Sequence, residues 1–266
     1  IHDLIWQLYD EEVPLSFSSL ERYQQNNLPI FNYSPTHNKF AYQRSQEQIN
    51  GLFIVSSKNV ELLGIRVERV GAMVEGEFYP WQADGISLVD IEGLRIAHAI
   101  IDNTWEGIDL GGASKDFLLE DLEISNSHAF AVKIPHTADG GVVRNSVIRN
   151  SGYSGVVLAG VVKNIVLDNI LVEDTGLFVS EDRVHLPWVK LGTIAGYRIM
   201  GADEAENRPA NIEFTHCIAE NLVGNDLMKF GFLNDDPNWQ ENANVFSVDS
   251  YAKNYTEKAV YKMIEE

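Results

Sequence analysis

The chain has 266 residues and is 45% hydrophobic, enough for one sizeable core, and its single cysteine, Cys217, leaves no internal disulfide to stabilise it. A formal net charge of −19, from 20 basic and 39 acidic residues, argues against nucleic acid as the partner, because neutralising phosphates needs a basic footprint. No run of apolar residues reaches the length of a membrane span, so none is expected.

The acidity argues more mildly against a polyanionic sugar, since a local basic groove or a bound divalent ion reverses the field locally. Acidity that serves solubility alone accounts for the same count. No basic leader with an apolar segment precedes Ile1, which reads as a processed or trimmed N-terminus with any export signal out of view.

Residues 1–48 follow no period and are broken by Pro29 and Pro35. The expected role is a cap over the first strand edge of the regular part. The first regular lap begins at Gly51 with GLFIVSSKNVELLGIRVER. It is lengthened by GAMVEGEFYPWQAD, where Tyr79 and Trp81 suit a sugar-binding wall; a loop packed on the side of the fold accounts for them as well.

Four clearer laps run from Gly85 to Asp174. Their starts, Gly85, Gly107, Phe130 and Gly155, recur at steps of 22, 23 and 25 residues. A fixed period of that size marks a solenoid, in which one lap cannot bury its apolar face until the next stacks on it. The lap ends Asn103, Asn126, Asn150 and Asp174 recur at steps of 23, 24 and 24. Stacked laps lie about 4.8 Å apart, so these side chains form a column in which each amide bonds the next.

A second insertion, GLFVSEDRVHLPWVKLGTIA, carries Trp188. The period resumes at GYRIMG and NIEFTHCIAEN, and a last lap reads MKFGFLN and ANVFSVDSYAKN. The tail at 256–266 is expected to cap the far end. The whole reads as one domain, with the regular part at 49–255.

The period and the amide column resemble the right-handed parallel β-helix of the pectate-lyase-like superfamily. The resemblance implies an all-β fold, a single right-handed parallel β-helix with an asparagine ladder and irregular caps. It also implies that a polysaccharide or oligosaccharide lies along one face, while leaving activity open among lyases, hydrolases and binding domains. This reading places the protein in an extracellular or periplasmic location.

Strand alternation points Ile86 and Leu88 inward and Ser87 outward. Matching laps on their apolar residues then puts Phe53, Ser87, Asp109, Lys133, Val157, Arg198 and Gly231 in one external column. A neighbouring column holds Asp90, Gly112, His136, Gly160, Gly201 and Asn234. Lys133, His136, Arg198 and Asp109 form a candidate catalytic patch, with Trp81, Tyr79, Trp188, Asp90 and Asn234 as candidate substrate contacts. Elimination next to a uronate carboxyl needs a base such as Lys133 or His136 and a charge sink such as Arg198. An exposed cross-strand ion pair between Asp109 and Lys133 is the plainer reading of the same residues.

A second constellation is acidic. Asp84 and Glu106 precede equivalent strands and stack one lap apart, close to Asp109. Paired carboxylates suit a glycoside hydrolase, and the same oxygens of Asp84 and Glu106 suit Ca2+. Nothing in the sequence requires a cofactor. The leading expectation is a uronate-polysaccharide lyase acting by β-elimination; the alternatives are a glycoside hydrolase and a non-catalytic glycan-binding or tailspike-type domain.

Overall fold

The computed structural model describes residues 32–34, 39–41, 50–70, 72–74, 77–79, 83–176, 193–200, 209–223, 228–234 and 245–253. Most of the 1–48 segment, Trp81, Trp188, Gly201 and the 256–266 tail lie outside these residues.

Every regular element among the described residues is a β-strand. The first sheet has nine strands in the order Lys39–Ala41, Asn32–Ser34, Leu52–Val55, Ile86–Val89, Ile108–Gly111, Phe130–Ile134, Ser154–Ala159, Thr193–Met200 and Met228–Asn234. From Asn32–Ser34 onward each strand pairs in parallel with the next, and Lys39–Ala41 closes the near edge antiparallel. A second sheet of 12 strands takes two strands from most laps, such as Glu92–Ala97 and Ile100–Thr104. In two laps these fuse into the continuous strands Asp139–Arg149 and Lys163–Glu173. No helix of the described residues is long and apolar enough to cross a membrane.

The strands form because their apolar residues alternate, and the core lies between the sheets. Ile86, Leu88, Ile108, Leu110, Val132 and Ile134 face Ile96, Leu119, Val143 and Leu167 across it, all buried. Toward the last laps the core turns aromatic. Tyr197 stacks on Phe232 at 4.8 Å, and its hydroxyl donates to the carbonyl of Ile170 at 2.6 Å. Gly107 begins its lap where an added Cβ would stand 2.4 Å from the Ala131 carbonyl oxygen, so the corner closes most tightly on glycine. Register places Ala131, not Phe130, at the glycine position, because Val132 pairs with both Ile108 and Val156.

Left-handed backbone explains the asparagines better than burial does. Each regular lap turns at corner residues with positive φ, a conformation that asparagine, aspartate, histidine and glycine tolerate. Arg69, Asn103, Asn126, Asn150, Asp174 and Asn221 make one such corner, with φ between 51 and 58°. Their side chains are not fully buried, and Asn150 donates to Asn126 Oδ1 at 3.0 Å as an amide ladder requires. Asn126, however, donates to Asp102 at 2.6 Å, and Asn103 Oδ1 lies 3.2 Å from His128 Nε2. A second amide run stands at another corner, where Asn211 donates to Asn164 and Asn164 to Asp139.

Candidate functional site

The first sheet carries its chemistry on the outer face. Register aligns Phe53, Ser87, Asp109, Lys133, Val157 and Arg198 in one column, as the alternation predicts. The column ends on Leu233 instead of Gly231, because Arg198 pairs with Leu233 while Tyr197 and Phe232 stack inside. A second column lies just before the strands, where the backbone N–H of Gly85 donates to the carbonyl of Glu106 and that of Gly107 to Phe130. This sets Asp84, Glu106 and Phe130 in successive laps.

The two columns bring four charged side chains together. One carboxylate oxygen from each of Asp84, Glu106 and Asp109 lies within 4.8 Å of the others. The Lys133 ammonium donates to Glu106 Oε2 at 3.0 Å and Oε1 at 3.1 Å, and to Asp109 Oδ2 at 3.4 Å. Asp84 and Glu106 are buried, at 5% and 4% exposure, whereas the Lys133 and Asp109 side chains are 28% and 22% exposed. Asp109 Oδ1 is the one carboxylate oxygen among the described residues that is buried without a hydrogen-bond partner.

Beside the charges lies an outward apolar cluster of Trp105, Ala129, Phe130, Tyr153 and Val157, all buried. Phe130 and Tyr153 meet at 6.2 Å with a tilt of 54°. The cluster leaves little water to solvate the neighbouring carboxylates. Burial pushes the Glu106 carboxyl up to about 7, against the pull of Lys133. Burial, then the charges of Glu106 and Asp109, hold Asp84 well above the ordinary carboxylate range, while Ser87 hydrogen-bonds its carboxylate. For Lys133, burial alone would lower the ammonium, but Glu106 and Asp109 outweigh it and raise it. Under neutral conditions Lys133 is charged and Glu106 shares its proton between two states.

Asp90 and His136 are exposed corner residues with φ of 57° and 69°. Asp90 Oδ1 accepts from the backbone N–H of Ala113 at 2.8 Å, a turn contact. Arg198 is buried at 2% and stands two laps from Lys133, beyond Val157. Asn234 pairs with Ile199, two positions short of the column that the repeat predicts, because the register follows the aromatic stack. Tyr79 ends the strand Glu77–Tyr79, which pairs antiparallel with Ala72–Val74. Trp81 and Trp188 lie outside the described residues.

Trp105 and Tyr153 are not among the residues that the repeat and the charge pattern single out, and Phe130 is marked there only as a lap start. A signal for them exists: Trp105, Ala129 and Tyr153 recur near the period, two residues before the glycine position. The chain matches no protein-family model and no curated protein.

Proposed function

We propose that the protein is a right-handed parallel β-helix of the pectate-lyase-like kind, exported from the cytoplasm, that cleaves a glycosidic bond with paired carboxylates. The observation that carries this reading is the close set of Asp84, Glu106 and Asp109 around Lys133 on one outer face. Glu106, raised to about 7, is the proton donor to the leaving oxygen. Asp109, which accepts from the Lys133 ammonium at 3.4 Å, attacks the anomeric carbon as the bond to that oxygen breaks. Glu106 then takes a proton from water, which displaces Asp109 and releases the sugar. Separations of about 5–5.5 Å suit this retaining course, and about 6.5–9.5 Å the inverting one.

Elimination by Lys133 fits the geometry less well. A base must be neutral to accept a proton, and two carboxylates hold the Lys133 proton in place. The sink for charge, Arg198, stands two laps from Lys133 in the register.

The test is a panel of neutral and uronate polysaccharides assayed for new reducing ends and for absorbance of an unsaturated uronate. Reducing ends without that absorbance are expected, with Glu106→Gln and Asp109→Asn each lowering the rate roughly 10²–10⁴-fold. Absorbance that survives Glu106→Gln and vanishes in Lys133→Ala would return the lyase reading. Binding with no cleavage would leave a glycan-binding domain.

A further inference from the structure

The carboxylates of this cluster suit a divalent cation in number and spacing, yet the centre they surround is already taken. The Lys133 ammonium sits at 3.0, 3.1 and 3.4 Å from three oxygens of Glu106 and Asp109. Calcium would need six to eight oxygens at about 2.3–2.6 Å, and it would meet that ammonium as a like charge. The forward neighbour of Lys133 in the column, Val157, is buried at 1% within the apolar cluster, so the amine is directed back toward the acids.

We infer that Lys133 is the built-in cation of the site, holding Glu106 and Asp109 in place of a divalent metal, and that its removal turns the cluster into a divalent-cation site. The inference concerns the side chains of the proposed acid–base site but stands on their packing alone. It holds whether or not they cleave a sugar. Lys133 is on this account a positioning residue.

The experiment compares the full chain with Lys133→Met by thermal unfolding in chelator and in millimolar CaCl2, and by calorimetric titration with CaCl2. The unaltered chain should unfold at one temperature in both buffers and show no binding heat. Lys133→Met should unfold lower in chelator and recover in Ca2+, with the folded-to-unfolded ratio rising about 100-fold at a hundredfold excess over Kd. If it does not fold in chelator, refolding in Ca2+ is read instead, and recovery is the expected result. A Ca2+ response in the unaltered chain overturns the proposal. So does a Lys133→Met chain indifferent to Ca2+, or one that fails to refold with it. In Lys133→Met with Glu106→Gln the Ca2+ affinity should fall at least tenfold; equal affinity would place the ion elsewhere and also overturn it.

Discussion

Glu106, just before a strand of the first sheet, and Glu120, on the second sheet, are almost equally hidden from solvent, with side chains 5% and 8% exposed. Both belong to charge ladders built by the same stacking of laps. Glu120 lies between Arg95, at 2.9 Å, and Arg144, at 2.6 Å, and Arg95 also reaches Glu61 at 2.7 Å. Hydrogen bonds from Arg144 and Arg95 hold its carboxyl below the ordinary range. Glu106 shares one ammonium with Asp109, close to Asp84 and beside an aromatic cluster, and its carboxyl is raised. The solvent exposure is alike, but Glu120 lies shallow beneath two guanidinium groups while Glu106 is deeply enclosed. Guanidinium groups satisfy a carboxylate while they cover it, whereas rings and methyl groups only remove its water.

The largest break in that contrast should come from removing the cation on each side. Lys133→Met strips a half-buried partner from hidden carboxylates and should cost on the order of 3 kcal/mol near neutral pH in the absence of Ca2+. Arg95→Met leaves Glu120 with Arg144 and Glu61 exposed to water, and denaturant unfolding should barely register it.

Next in size is pH dependence, where the two glutamates should act with opposite sign. Glu106 holds its proton more tightly folded than unfolded. Its contribution is therefore complete below its ordinary value of 4.5 and is lost as the pH climbs through about 7. Glu120 and Glu92 are lowered, so theirs is present above the ordinary carboxylate range and is lost as the pH falls below it. A series of Tm against pH should lose much of its neutral-side decline in Glu106→Gln and part of its acid-side decline in Glu120→Gln. An unchanged neutral limb in Glu106→Gln would show that the cluster does not hold that proton.

The smallest effect tests the lattice common to both sheets. Asn150, at φ 56°, should tolerate glycine with little loss, while Asn150→Ala should cost about 1 kcal/mol by urea unfolding. Equal losses in the two variants would mean that the amide bond to Asn126, not the left-handed corner, is what the asparagine provides.

Much of this arrangement is readable in the order of residues. The repeat and the alternation within strands are local properties, and together they place Asp109 beside Lys133 and stack Asp84 near Glu106. They also mark Asn103, Asn126 and Asn150 as equivalent. The corner role of Asp90 and His136 is hidden there, because a residue chosen for positive φ looks the same in sequence as one chosen for its side chain.

Where loops of unequal length intervene, counting fails. Asn234 stands two positions off the counted column because the Tyr197–Phe232 stack, not the count, sets the last register. By itself the sequence determined which residues share a column, since the period and the strand alternation are written in it. Only the tertiary structure decided that Lys133 turns toward Glu106, that Arg198 is buried, and that apolar rings dry one carboxylate while guanidinium groups hold another. Those outcomes depend on what packs over a face, and residues far apart in the chain supply that covering.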